Sequence, residues 1–323
     1  MNTSQPRKRN PRKNLEEKVS VLVTSSPIPS HPSPELILST IESLHFLGIV
    51  PSVRIYVLLD GIRPSLRNRM TRSSYSEYER NLREISSKLN NLQILSRSRW
   101  GHISQTLRMG LAQISTDYVL VIQHDMPFVR EVDLHSLVDQ MDNNRELKHV
   151  RFNLRENLPS GADGTYSYRR EGRIFDRSSF FSEWSPSHGH ATIPLIKTLC
   201  WSDNNYLCKT EYLKETVLKP IGKTKLAPEW PMNRVSDKET HRILGTFVYG
   251  RPGDPPVIGH LDGRNYEKQV SPRTNPKADR FQMASSPQFG NLFQTLATSM
   301  WRLRHDSQID RVVKRAKRQW GLQ

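Results

Sequence analysis

Tyr118-Val119-Leu120-Val121-Ile122-Gln123-His124-Asp125-Met126-Pro127 decides the reading of this chain. An uninterrupted apolar run from Tyr118 to Ile122 suits a strand buried on both faces, as in a parallel sheet. Proline closes the run, and an acid where such a strand gives out sits where open α/β sheets bind ligands. Asp125 is therefore the first candidate for a functional site.

Upstream, three more apolar runs are each followed by a helical pattern. Val19 to Val23 reads as a strand ending in Thr24-Ser25-Ser26. A loop with Pro27, Pro29 and Pro32 leads to Ser33-Pro34-Glu35, which offers a capping residue, a proline at the first helical position and an acid in the first turn. Ile37, Ile41, Leu44 and Leu47 then keep to one helical face. Val53 to Leu59 is a second strand closed by Asp60-Gly61, and Tyr75, Tyr78, Leu82, Ile85 and Leu89 mark a second helix. Leu92 to Leu95 is a third strand, and Ile103, Leu107, Leu111 and Ile114 mark the helix before the strand that delivers Asp125. Such alternation predicts an α/β fold around a mixed, mostly parallel sheet flanked by helices. Leu134, Leu137, Val138 and Met141 predict another helix.

Past residue 150 the alternation fails. Residues 155 to 193 are rich in Gly, Ser, Arg and aromatics and read as long loops over the sheet. Regular signals return over Cys200 to Leu218, with strands expected at Thr246 to Tyr249 and Val257-Ile258 and helix after Pro287.

The 323 residues carry 48 Lys and Arg against 32 Asp and Glu, a net charge of +16. Residues 1 to 18 contribute six basic against two acidic side chains, and residues 301 to 323 seven against two, so the ends supply 9 of the 16. The central body has no run pairing Arg with aromatics, which argues against nucleic acid as the main partner. Residues 1 to 18 read as a basic flexible arm. The two cysteines, Cys200 and Cys208, match no zinc spacing and fit a reducing compartment. Without a membrane-length apolar segment or a signal peptide, the expected location is cytoplasmic.

The segment from Trp100-Gly101-His102 through Gln105, Arg108, Gly110 and Leu111 to Asp117 and on to Asp125 resembles the core signature of family 2-type GT-A glycosyltransferases. That signature runs from a small polar turn through a helix with Arg and Gly to an apolar strand ending in Asp-x-Asp. The resemblance covers residues 19 to 128 well and the rest loosely. It implies a GT-A domain over residues 19 to 285, with a nucleotide-sugar half at 19 to 128 and an acceptor half at 150 to 270. The expected reaction is transfer of a hexose-type sugar from a nucleoside-diphosphate sugar to a hydroxyl of a glycan or lipid-linked acceptor, with inversion.

The resemblance also places residues. Thr24, Asp60 and Arg108 would hold the nucleotide, joined at the end of the fourth strand by Gln123, His124 and Asp125. Gln123 stands where the family's motif has its first acid, so one carboxylate remains there. His124 is expected to point to the other side of the strand end. His260, in Gly259-His260-Leu261-Asp262, resembles the late histidine that completes a metal site with Asp125, which implies Mn2+ or Mg2+ at the diphosphate. Arg264 and Lys268 would face the same diphosphate. Each has a plainer reading: Asp60 a turn residue, Arg108 a surface arginine, His260 a loop histidine bonded to backbone. For the general base, Glu229 in Pro228-Glu229-Trp230 stands at about the expected distance along the chain. Asp203 competes with it, and also reads as a helix cap. Trp184, His188 and His190 are acceptor-site candidates.

In residues 286 to 323, Ile309, Val312, Val313, Ala316 and Trp320 fall on one helical stripe, with Arg311, Lys314, Arg315, Lys317 and Arg318 around it. Such a helix lies peripherally on an anionic membrane or docks on its own domain with a basic outer face. Two rival functions remain. One is a nucleotidyltransferase of the same fold, which usually carries a glycine-rich basic loop where this chain has the Ser- and Pro-rich stretch 24 to 34. The other is a non-catalytic basic binding protein.

Overall fold

Strands buried on both faces send alternate side chains into two separate cores, and this chain does so over its first half. A computed structural model describes residues 14–28, 30–49, 52–64, 72–158, 168–170, 173–175, 180–185, 192–261 and 306–322. The strands are β1 (Val19–Ser25), β2 (Ile55–Leu59), β3 (Leu92–Ser96), β4 (Tyr118–Gln123), β5 (His149–Arg151), β6 (Tyr168–Arg170), β7 (Arg173–Phe175), β8 (Ser182–Glu183), β9 (Leu195–Lys197), β10 (Tyr206–Lys209) and β11 (Thr246–Tyr249). Nine of them form one sheet in the order β3-β2-β1-β4-β10-β5-β11-β9-β8, and β6 and β7 pair separately.

β1, β2, β3 and β4 are mutually parallel, with Val21 opposite both Ile55 and Leu120. β10 runs antiparallel to β4 and β5, and β9 runs antiparallel to β11 and β8, while β11 is parallel to β5. Seven of the nine strands thus share one direction, as the expected mixed, mostly parallel architecture requires.

The helices are α1 (Leu15–Lys18), α2 (Glu35–Glu42) with a 3-10 extension Ser43–Leu47, α3 (Arg72–Ser86), α4 (His102–Leu111) and α5 (Leu134–Asn143). After them come a π-type stretch Tyr212–Leu218 running into α6 (Lys219–Ile221), then α7 (Glu229–Val235), α8 (His241–Leu244) and α9, residues 306–319. On one face of the sheet Val21, Val23, Val57, Leu59, Leu120 and Ile122 pack with Ile37, Tyr78, Leu82 and Leu137 from α2, α3 and α5. On the other, Leu22, Leu58, Val119 and Val121 pack with Leu107 and Leu111 of α4, Met232 of α7 and Val312 of α9. Gly110 lets α4 lie close to the sheet: a Cβ there would fall 2.8 Å from Leu58 Cδ1 and 3.1 Å from Leu22 Cδ2.

Several expectations need correction. The arm expected over residues 1 to 18 is structured at its end, since Lys18 bridges Asp142 at 2.7 Å and Asp139 at 3.4 Å on α5. The rest of the arm, residues 1–13, lies outside the described residues, as do His188, His190, Arg264 and Lys268. Val257-Ile258 forms only an isolated bridge, Ile258 to Phe128. Trp184 is a core residue rather than an acceptor contact: it is buried, stacks edge-on to Phe247 and donates its indole N–H to Glu146 at 2.7 Å.

The C-terminal stripe turns inward. Ile309, Val312, Val313 and Ala316 are buried against the second core, and Arg234 of α7 clamps Asp306 and Asp310 at 2.8 Å each. The docked reading of this helix therefore holds, and its apolar face is not available to a bilayer. Among the described residues no helix is long and apolar enough to cross a membrane.

Three histidines, His31, His124 and His149, are buried. Burial holds His31 and His149 neutral, pushing each down to about 3, and lowers His124 as well. Unfolding frees each to protonate near its ordinary 6.5, so the unfolded state binds more protons between pH 6.5 and the depressed folded values. Stability is therefore full above pH 6.5 and falls as pH drops. The expected loss is about 1.4 kcal/mol per histidine per pH unit. Denaturant titrations at pH 7 and pH 5 should show it, and a midpoint unchanged between them would refute the assignment.

Candidate functional site

The order β3-β2-β1-β4 means that the chain leaves β1 in one direction and returns on its other side, so a crevice opens between the carboxyl ends of β1 and β4. A cleft of about 970 Å³ occupies it. Thr24, Ser25 and Ser26 line it from β1, Asp60 and Gly61 from β2, Gln123 and His124 from β4, and Asp203 and Glu229 from the second half of the chain.

Asp60 is buried at the end of β2. Its carboxylate accepts from the backbone N–H of Gly61 at 2.9 Å, Gly101 at 2.8 Å and His102 at 2.9 Å. Burial raises its pKa and these three amides oppose the rise. Asp60 therefore fixes the first turn of α4 while facing the cleft, and most of its acceptor capacity is already used. Two backbone features depend on this contact. A Cβ on Gly61 would lie 2.4 Å from the Arg99 carbonyl carbon and 2.5 Å from the Trp100 nitrogen, so only glycine permits the approach. His102 adopts a left-handed φ of 60°, which costs a non-glycine residue about 1 kcal/mol.

Thr24 donates its hydroxyl to the Ile122 carbonyl at 3.2 Å, binding β1 to β4 at the cleft floor. His124 lines the cleft as well, contrary to the alternation argument. β4 ends at Gln123 and the chain turns at His124, so strand periodicity no longer governs it. Its Nδ1 lies 3.2 Å from the Thr24 carbonyl and its Nε2 is buried with no partner among the described residues. A ring kept neutral by burial, with Nδ1–H on a carbonyl, presents Nε2 as an acceptor.

Gln123 explains itself through Asp203. Its side-chain amide donates to the Asp203 carbonyl at 2.9 Å, and its backbone N–H donates to Asn205 Oδ1 at 3.0 Å. An aspartate at 123 would have no proton for that carbonyl. Asn205 in turn donates to the Met126 carbonyl at 2.7 Å, so it ties the loop before β10 to the turn after β4.

Asp203 and Glu229, rivals in the sequence, are partners in the structure. The Asp203 N–H donates to Glu229 Oε2 at 3.2 Å and the Glu229 N–H donates to Asp203 Oδ2 at 3.3 Å. Glu229 opens α7, where the helix's free N–H groups favour a negative charge. Asp203 is 7% exposed, and burial followed by the charge of Glu229 drives its pKa well above the carboxylate range. Its Oδ1 has no partner among the described residues. Burial of Asp203 beside the half-buried Glu229 disfavours a second negative charge in the pair. Asp203 precedes β10 rather than a helix, so its side chain serves the first N–H of α7 instead of capping the element that follows it.

The other expected pair also meets. His260 Nε2 lies 3.3 Å from Asp125 Oδ2, while Asp125 Oδ1 is buried and unpartnered among the described residues. His260 reaches that position because the Leu261 N–H donates to the Asp125 carbonyl at 2.9 Å and Gly259 bonds Pro127 at 2.8 Å. No cluster of three or more His, Cys, Asp or Glu able to hold a metal occurs among the described residues. Asp125 and His260 are two protein donors, so a divalent ion held there would take its remaining positions from phosphate oxygens and water.

Arg108 does not reach the cleft. Its guanidinium donates to the Leu218 carbonyl and joins α4 to the π-type stretch, with burial lowering its pKa. Neither of its sequence readings, phosphate ligand or free surface charge, survives. Cleft residues that sequence reasoning did not assign to the site include His31, Arg63, Trp100 and His102. Trp100 and His102 belong to the quoted signature. His31 stacks on Tyr78 with ring centres 3.7 Å apart, a contact no local pattern signals.

A mixed, mostly parallel sheet with a crevice at its switch point is the α/β architecture expected from the sequence. No protein-family model matches this chain, and no curated protein sequence does. Solved structures similar to it include residues 1–349 of TarS from S. aureus, at 15% identity over 75% of this chain and 60% of that one, with a TM-score of 0.45. The same protein in complex with UDP gives 15% identity over 75% and 60%, with a TM-score of 0.42. Its complex with UDP-GlcNAc gives 15% over 75% and 58%, with a TM-score of 0.43. The chain thus spans about 60% of the length of these structures.

Proposed function

We propose that this protein is a glycosyltransferase, moving a hexose-type sugar from a nucleoside diphosphate to an acceptor hydroxyl with inversion. The observation that carries the reading is the Asp203–Glu229 pair in the wall of the switch-point cleft, with Asp125 meeting His260 just past Gln123 and His124, which line the same cleft.

The nucleotide lies against Thr24, Asp60 and the end of β4. Asp125 and His260 would hold Mn2+ or Mg2+, which supplies positive charge to the departing diphosphate. Glu229 takes the proton of the acceptor hydroxyl as its oxygen attacks the anomeric carbon and the bond to the diphosphate breaks, the electron pair leaving on the phosphate oxygen. Asp203 is the positioning residue, orienting Glu229 through the reciprocal N–H bonds. Gln123 holds the Asp203 loop.

Calorimetric titration of UDP and GDP, with manganese and with chelator, tests the reading. One nucleotide is expected to bind, at least about tenfold more tightly with metal, a difference of about 1.4 kcal/mol. Absence of binding by either would refute it.

A further inference from the structure

Beside the donor cleft lies a second one of about 1070 Å³ that the proposed reaction has not used, and the two share Arg63, Trp100 and His102 in their walls. Among the described residues its lining includes seven cationic side chains, Arg63, Lys223, Lys225, Arg311, Lys314, Arg315 and Arg318, and no acid. Three separate parts of the chain supply them. None of the seven pairs with a carboxylate among the described residues.

The arrangement is a consequence of how α9 docks. With Ile309, Val312, Val313 and Ala316 buried, positions 311, 314, 315 and 318 fall at helical spacing on the side facing the cleft. The helix's own acids, Asp306 and Asp310, are turned to Arg234, so they do not neutralise that side. Arg315 is held in place by the Ile221 carbonyl at 3.4 Å and the Thr224 hydroxyl at 3.3 Å. Unpaired cations in a concave wall repel one another and focus a positive potential, and an anionic occupant relieves that repulsion.

We propose that this cleft binds a polyanionic, hydroxyl-bearing chain whose charges are phosphates, and that this chain is the acceptor of the transfer. Naming it the acceptor rests on the transferase reading; its binding does not. Cations suited to phosphate line the cleft, and the shared wall leads a chain bound there toward Asp203 and Glu229. Nucleic acid fits less well. Arg63 and Lys225 each sit over the Trp100 indole at 5.6 Å, so the protein's own cations already occupy the aromatic surface on which a base would stack. A bilayer fits less well again, because the cations line a concavity and the apolar face of α9 is buried.

Short-chain inorganic polyphosphate is the probe, titrated into the full chain without nucleotide. The variant Lys223→Ala/Lys314→Ala/Arg318→Ala is compared with Lys88→Ala/Lys238→Ala/Arg242→Ala, which removes the same charge elsewhere. The cleft variant is expected to lose about tenfold or more in affinity and the control less than about twofold. UDP or GDP affinity should be unchanged in both. Equal losses, or none, would overturn the proposal, as would tighter binding of single-stranded RNA or anionic vesicles than of polyphosphate. If polyphosphate binds as expected but neither nucleotide does, the transferase reading falls while the phosphate site stands.

Discussion

Glu229→Gln is expected to slow sugar transfer by about 10²–10⁴-fold, the range that a positioned general base contributes. The amide keeps the shape of the side chain and can still accept the Asp203 N–H, but it cannot take a proton from the acceptor. Donor affinity should stay within about threefold, because a group acting only in the transition state leaves ground-state binding alone. Asp203→Asn should behave differently. Burial and the charge of Glu229 push the Asp203 pKa well above the carboxylate range, and the asparagine keeps the oxygen that accepts the Glu229 N–H. A loss below about tenfold is expected for it, since the proton on the acceptor is not its own to take. Single-turnover rates on the two variants separate the roles. Equal losses would mean that the base has been misassigned within the pair.

Asp125→Ala should remove metal-dependent nucleotide binding. The ion's stabilisation of a diphosphate is worth several kcal/mol, so the affinity measured with manganese should drop about 10²-fold or more, toward the value with chelator. His260 is 43% exposed at its side chain and contributes one neutral donor, so His260→Ala should cost less, about tenfold. The chelator titration of the unaltered protein is the control. If chelator has no effect there, the Asp125–His260 pair holds no metal, and Asp125→Ala should then leave nucleotide affinity unchanged.

Gln123 lines the cleft at the end of β4. Read as a strand ending in a depleted metal motif, it counts as a lost ligand. In three dimensions its amide is the donor that the Asp203 loop requires. The departure from the family pattern thus reflects which partner the strand end faces, and an ionised acid there would meet the Asp203 carbonyl with no proton to donate.

Much of the scaffold was legible in the chain because its signals are local. Apolar runs at Val19–Val23 and Tyr118–Ile122, helical spacing at Ile103–Ile114 and the acid at Asp125 each act within a few residues, and the sheet reproduces them. Bounds were less legible: β1 extends through Ser25, and the helix begun at Glu35 tightens to a 3-10 turn at Ser43. Hydrogen bonds to neighbours, not composition, set those ends. His124 and Arg108 were misplaced for the same reason. Strand alternation stops where the chain turns, and a long side chain such as Arg108 goes to whichever carbonyl lies nearest, here Leu218.

By itself the sequence determined the α/β architecture, the strand that carries Asp125 and the set of acids from which a base is drawn, because periodicity and turn chemistry are written in adjacent residues. Tertiary structure alone decided that Asp203 and Glu229, 26 positions apart, are one pair, that His260 returns to Asp125, and that α9 buries its apolar stripe. Those outcomes depend on contacts between distant segments. Only the closing of the chain on itself, with burial shifting protonation and turning α9's cations toward a common cleft, makes them physical facts.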